Sequence, residues 1–277
     1  MYNLKKRPKY ISMRVRIVSY NTHGLPWANQ KPQEISDWCL RQNADVLCFQ
    51  EVFMDKARAI YRERIEAAGY TVVQPRDDGV TFFRSGLLAF VRAATLNVVT
   101  ERFEPFLTHD TVETAVNKGV QCLVLQHRLS GRHFTLMNTH TQSTTIATVF
   151  TSQEEIKRIL RAQLEQIVQT ARADIPAFLI GDLNCESSPH PDVRFFYPSA
   201  PLRKSTFPST GEDLDHIAWI PVQWVQDGRP WCSIDTTGPQ VMGYTVTPLP
   251  YSDHYPILVD LAIPVFPPQK AKACSSS

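Results

Sequence analysis

The chain has 277 residues, of which 43% are hydrophobic, and its formal net charge is +2. That length and composition support one or two folded domains and exclude a disordered chain, and the near-neutral balance gives no global case for a polyanionic partner. No stretch approaches the roughly 20 apolar residues of a membrane span, and the basic first ten residues lack the apolar region of a signal peptide, so a cytoplasmic or peripheral-membrane location is expected.

Residues 1–13, which include Lys5-Lys6-Arg7, read as a flexible tail. Val15–Tyr20 alternates with period two, predicting a strand that ends at Asn21. Residues 33–43 predict a helix with Ile35, Trp38 and Cys39 on one face. Ala44–Phe49 predicts a buried strand ending at Gln50-Glu51, and residues 55–68 a second helix. Residues 70–75, 86–92, 95–102, 119–129 and 132–138 are strand-like, with Gly131 turning the last two into a hairpin. Asn138-Thr139-His140 lies at the exit of that hairpin.

The strongest helical pattern is 152–172, where apolar residues from Ile156 to Val168 recur at three- and four-residue steps. Ser152 and Glu155 have the spacing of a capping box. Strands follow at 176–181, 214–220, 241–247 and 256–263. Gly181-Asp182-Leu183-Asn184 follows the first of these, and Ser252-Asp253-His254 precedes the last. Residues 185–213, rich in proline and serine, read as a surface loop, and 266–277 as a second flexible tail. The mixture of βα alternation and hairpins predicts one α/β domain over 14–265, built of two packed mixed sheets with helices outside. None of the six cysteines forms a CxxC pair, so a zinc knuckle is not expected.

The polar clusters share a position at strand ends, and together they suit a hard cation and phosphodiester cleavage. Glu51 is a candidate ligand for Mg²⁺, which takes oxygen donors and needs only one or two carboxylates; the alternative is a solvent-facing acid at a helix start. Asn21 could help to hold metal or phosphate. Asp182 and Asn184 point to one face if the strand continues, the first binding metal or orienting water and the second donating to a phosphoryl oxygen; an Asx-turn is the alternative. His254 is the natural general base, with Asp215 as its orienting acid. His216 reads as a packed or solvent histidine. His140 could donate to a developing phosphorane oxygen or to the leaving group, or be structural. His23, His109, His127, His133 and His190 carry no assigned role.

The order Ser19-Tyr20-Asn21, Gln50-Glu51, Ser85-Gly86-Leu87, His140, Gly181-Asp182-Leu183-Asn184, Leu214-Asp215-His216 and Ser252-Asp253-His254 resembles the endonuclease/exonuclease/phosphatase superfamily over about residues 14–263. The resemblance implies a four-layer αββα sandwich and Mg²⁺-dependent phosphoester hydrolysis, with Mn²⁺ as a substitute ion. It implies Glu51 as principal metal ligand, with Asn21 auxiliary and Asp253 near the metal. Asp182 and Asn184 would orient water and phosphate, His254 would be the base tuned by Asp215, and His140 would stabilise the transition state or protonate the leaving group. Within the superfamily, Lys118-Gly119, Thr139-His140-Thr141-Gln142-Ser143 and Ser252-Asp253-His254-Tyr255-Pro256 resemble the neutral sphingomyelinases, with Lys118 close to the head group. A phospholipid substrate is therefore favoured over nucleic acid, with peripheral membrane contact. Trp224 and Trp231 suit either a membrane interface or a core. A nuclease is the alternative of the same class, and an inactive binding module the alternative outside it.

Overall fold

The computed structural model describes residues 11–25, 28–76, 83–110, 113–144, 151–171, 175–197, 205–221, 225–226, 229–230 and 239–265. Two mixed six-stranded sheets make up its centre. In chain order, the first sheet takes β1 (Ile11–Asn21), β2 (Val46–Gln50), β3 (Tyr70–Val73) and β4 (Leu88–Arg92). The second takes β5 (Leu96–Pro105), β6 (Gly119–His127), β7 (His133–His140), β8 (Ala177–Asp182), β9 (Arg194–Phe195) and β10 (Asp215–Ile220). After a separate ribbon of β11 (Val225–Gln226) and β12 (Arg229–Pro230), the chain returns to the first sheet with β13 (Gln240–Val246) and β14 (Ile257–Val265). The orders are β13-β14-β1-β2-β4-β3 and β5-β6-β7-β8-β10-β9. Each sheet has a parallel pair at its centre, β1 with β2 and β7 with β8.

Period-two alternation sorts the strand residues into layers. Ile17, Val46, Cys48 and Ala89 of the first sheet meet Leu123, Phe134, Leu136, Phe178 and Ile217 of the second in the central core. Val18, Tyr20, Leu47, Phe49 and Phe90 face outward onto two helices, α1 (Pro32–Arg41) and α2 (Asp55–Ala67). These helices contribute Ile35, Trp38 and Cys39, and Tyr61 and Ile65. On the other side, Leu164 and Ile167 of α3 (Gln153–Thr170) cover Met137, Leu179 and Ala218. The result is the expected αββα sandwich.

Pro32 opens α1, where its missing N–H costs nothing. Ser152 caps α3 by accepting from the Glu155 N–H at 3.2 Å. The capping box is only half made, because the Glu155 carboxylate is taken by Arg158 at 2.6 and 2.8 Å. β1 begins earlier than the residue-14 boundary, since Ile11–Met13 pair with Val265–Ile263 of β14. The predicted loop 185–213 contains the short edge strand β9, paired with Ala218 and Trp219. Trp224 and Trp231 lie outside the described residues.

Strand direction brings the polar clusters to one edge. β1, β2, β7 and β8 deliver their C-terminal ends there, and the antiparallel β10 and β14 deliver their N-terminal ends. Buried amides join the sheets at this edge. Gln50 Nε2 donates to Asn138 Oδ1 at 2.7 Å, and Asn138 Nδ2 donates to Gln121 Oε1 at 3.3 Å and to the Phe49 carbonyl at 3.2 Å.

Candidate active site

Six predicted side chains converge where the sheets meet. Asn21 Nδ2 donates to Glu51 Oε1 at 3.1 Å and to Asp182 Oδ2 at 2.9 Å, so one amide bridges acids from opposite sheets. His140 Nε2 and His254 Nε2 each lie 3.6 Å from Asp182 Oδ2, and His140 Nε2 lies 3.9 Å from Glu51 Oε1. Behind His254, its Nδ1 is 2.7 Å from Asp215 Oδ2. A carboxylate only accepts, so Nδ1 carries the proton of that bond and Nε2 faces Asp182.

The backbone is bent to make this possible. Glu51 (φ 58°), Asn184 (φ 49°) and His23 (φ 49°) are left-handed non-glycine residues, a conformation that gathers at functional sites. The bend at Glu51 ends β2 and separates the acid from α2, so Glu51 is no helix-start residue facing solvent. β8 likewise stops at Asp182, and Asn184 does not continue its face. The Asn184 N–H instead donates to Asp182 Oδ1 at 3.0 Å, an Asx-turn, while the Asn184 amide donates to the Thr141 carbonyl at 3.2 Å. The Asx-turn reading therefore holds and the same-face reading does not: the turn is what places the two side chains. Gly24 is required beside Glu51, because a Cβ there would sit 1.6 Å from the Glu51 carbonyl oxygen.

Burial and charge set the protonation states. Burial raises the Glu51 pKa, against the Asn21 hydrogen bond. Burial also works against the charge of Asp182, yet His254, His140, Asn21 and the Asn184 N–H together hold that carboxyl below the usual range. Burial disfavours the His254 imidazolium, but the charges of Asp215, Asp182 and Asp253 override it and push the ring up to about 10. Burial pushes Asp215 up to about 6 despite the imidazolium beside it. Burial, and then Lys118, push His140 down to about 3, so its ring is neutral.

Two predicted residues are held in ways the sequence did not indicate. Asp253 Oδ2 is 2.5 Å from His23 Nδ1, and Ser252 Oγ donates to Asp253 Oδ1 at 3.2 Å. Lys118 is buried; its ammonium donates to Glu113 Oε1 at 2.8 Å and to the Thr141 carbonyl at 2.6 Å, and lies 3.4 Å from His140 Nε2. His216 stands apart from the cluster as expected, its ring stacked 4.2 Å from Phe195 and its Nε2 2.8 Å from the Cys185 carbonyl. His23 and Glu113 were missed. The His23-Gly24 pair, two residues after a strand-end amide, was the available signal for the first, whereas Glu113, in a short 3₁₀ turn, had none.

The donors suit a hard cation. Glu51 Oε2 is buried with no hydrogen-bond partner among the described residues, which marks it as an oxygen waiting for a positive charge. Asp182, Asp215 and His254 also offer one atom each within 4.8 Å of one another. In that trio the Asp215–His254 contact is already closed by a proton at 2.7 Å, so Glu51 with Asp182 is the better cation pair; Asn21, which turns its Nδ2 to both acids and its Oδ1 to the His23 N–H, would ligate only through Oδ1 after its amide rotates.

The sequence profile of the Endonuclease/Exonuclease/phosphatase family matches residues 18–254, which include every residue of this cluster. The chain belongs to that family. Its members are hydrolases of phosphoester bonds. Among solved structures the same fold recurs in sphingomyelinase C from Streptomyces griseocarneus, at 17% identity and a TM-score of 0.64, covering 91% of this chain and 99% of that one. Beta toxin from Staphylococcus aureus with bound magnesium ions is 16% identical, with a TM-score of 0.64 and coverage of 89% and 99%. D. rerio TDP2 complexed with a single-strand DNA product is 16% identical, with a TM-score of 0.67 and coverage of 90% and 98%. No curated protein sequence matches significantly.

Proposed function

We propose that this chain is a Mg²⁺-dependent phosphodiesterase acting on a phospholipid of the sphingomyelin type, with Mn²⁺ able to substitute. The observation that carries the reading is the Asn21 amide bridging Glu51 and Asp182, with His140 on one side and the Asp215–His254 pair on the other. Glu51 and Asn21 would hold the cation, with Asp253 nearby; when bound, it supplies Lewis-acid polarisation of a phosphoryl oxygen and stabilises the charge developing there.

The chain's own residues supply the rest. His254 takes the proton of the attacking water in the form that is unprotonated at Nε2, which its raised pKa places toward alkaline pH, and Asp215 fixes its tautomer and stabilises the imidazolium that forms. Asp182, within 3.6 Å of that Nε2, orients the water, and Asn184 donates to the phosphate. A neutral His140 acts by hydrogen bonding to the phosphorane rather than by delivering a proton, which favours the first of its two expected roles. Lys118, 3.4 Å from His140, adds positive charge close to the same oxygen.

The lipid assignment is supported by the Lys118-Gly119, Thr139–Ser143 and Ser252–Pro256 motifs and is compatible with peripheral membrane contact. Among the described residues no helix is long and apolar enough to cross a membrane. A nucleic-acid substrate is the second reading, favoured by the likeness to TDP2 in its DNA complex. The deciding experiment is a Mg²⁺ activity panel of sphingomyelin liposomes, lysophospholipid, plasmid DNA and single-stranded RNA. Sphingomyelin turnover that stops on chelation is the expected result. Plasmid nicking without sphingomyelin turnover would move the assignment to nucleic acid, and turnover in excess chelator would refute the metal. Trp224→Ala and Trp231→Ala should weaken liposome hydrolysis while sparing a soluble chromogenic diester.

A further inference from the structure

Asp215 and His254 come from different sheets. Asp215 opens β10 in the second sheet, and His254 lies just before β14 in the first, 39 residues further along the chain. The two strands do not pair with each other, so no ladder fixes the 2.7 Å between the acid and the imidazole.

One residue reaches both sides of the pair. Thr206 is fully buried, in the connection between β9 and β10. Its Oγ1 accepts from the Leu214 N–H at 2.9 Å and from the Asp215 N–H at 3.0 Å. Its carbonyl accepts at 2.7 Å from the N–H of Tyr255, the residue directly after His254. A threonine hydroxyl has two acceptor sites and one proton. With both sites filled, the proton is left for the Asp215 carboxylate. Burial raises the pKa of that acid, and this hydroxyl works against the burial by favouring the ionised form.

The segment that carries Thr206 is itself pinned. The Phe207 N–H donates to the Glu212 carbonyl at 3.0 Å, Ser205 Oγ donates to the same carbonyl at 2.7 Å, and the Gly211 N–H donates to the Phe207 carbonyl at 3.1 Å. The Phe207 ring then lies 4.8 Å from the His254 ring, bracing the imidazole from the same loop. A threonine that merely closes a turn bonds within its own loop. The three backbone N–H groups that Thr206 accepts from all lie outside residues 205–212, and they flank the acid and the base.

We propose that Thr206 is a positioning residue: its hydroxyl sets Asp215 and its carbonyl sets the chain at His254, so that the acid meets Nδ1 and Nε2 is aimed at the water. The inference rests on the reading of His254 as the base, and adds to it what holds the pair together across the two sheets. Without the hydroxyl, two buried N–H groups lose their acceptor and the start of β10 must move to find another. Misplacing a reacting group by about 1 Å can cost about 10²-fold in rate.

The test compares Thr206→Val, which keeps the shape and deletes the hydroxyl, with Thr206→Ser, which keeps the hydroxyl. Kinetics on a soluble chromogenic diester in Mg²⁺ are paired with the low-field proton resonance of His254 Nδ1–H, assigned by its absence in His254→Ala. In Thr206→Val, kcat should fall by about 10- to 10²-fold with KM within about twofold of wild type, and the resonance should shift or broaden. Thr206→Ser should restore both. If circular dichroism shows that the valine variant does not fold, Thr206→Cys, whose sulfur accepts only weakly, takes its place under the same criteria. A folded variant with kcat within about threefold of wild type and the resonance in place would overturn the proposal. So would a serine variant as slow as the valine one, or a loss of kcat with the resonance unmoved. The resonance needs no turnover. If it moves in Thr206→Val and returns in Thr206→Ser in a protein that cleaves no diester, the positioning stands and only the hydrolase reading is refuted.

Discussion

Replacing Asp215 by Asn tests the base assignment with little change of shape. Its Oδ2 is 2.7 Å from His254 Nδ1, and both residues are buried, at 1% and 6% exposure. A hydrogen bond to a charged group contributes about 1.5–3 kcal/mol. At 1.36 kcal/mol per pKa unit, its loss should lower the His254 pKa by about 1–2 units. The sign follows from the charge: Asp215 stabilises the imidazolium, so without it the ring sheds its proton at lower pH, and the acidic limb of the rate profile moves to lower pH. The asparagine can also donate to Nδ1, which would shift the ring proton to Nε2 and block the basic nitrogen. The maximal rate should therefore fall by about 10²–10⁴-fold. The assay is kcat/KM for a chromogenic diester across pH in saturating Mg²⁺. An acidic limb that stays in place, or a rate within about threefold of wild type, would refute the assignment of Asp215 as the group that tunes His254.

Three further outcomes follow from the site. Glu51→Gln removes the anionic donor and should abolish detectable Mg²⁺ binding by calorimetry and cost about 10²–10⁴ in rate, several kcal/mol of lost charge stabilisation. His254→Ala should lose about 10²–10⁴ in rate, whereas His216→Ala, whose ring packs on Phe195 and bonds the Cys185 carbonyl away from the cluster, should change stability more than kcat; equal kinetic losses would exchange the roles of the two histidines. Lys118→Met leaves Glu113 buried without its cation and should destabilise the fold by about 3–5 kcal/mol, measured by urea unfolding.

What could be read from the sequence was local. Apolar periodicity located the helices and every strand of both sheets except β9, because burial of one face imposes it residue by residue. The site residues were legible as strand-end polar clusters for the same reason: a carboxylate or amide directly after a buried run has to face the rim. Partnership was less legible. Asn21 and Asp182 are 161 residues apart, and no spacing announces that one amide will bridge Glu51 to Asp182. The left-handed turns at Glu51 and Asn184 break the alternation on which same-face arguments depend, so Asn184 left the face assigned to it. Glu113 and His23 act through a lysine and an aspartate that the sequence did reveal, but a partner chosen by tertiary packing leaves no periodic trace.

The chain order of the first sheet has a consequence for biosynthesis. β14, placed between β13 and β1, follows every other described element in the chain, yet it is the neighbour of the first strand and stands directly behind Asp253 and His254. During synthesis the second sheet, over residues 96–220, can assemble while the first still lacks its final strand. A nascent or prematurely ended chain would hold Asn21, Glu51, His140 and Asp182 but not His254. On the proposed mechanism, the base is therefore the last of these groups to reach the site.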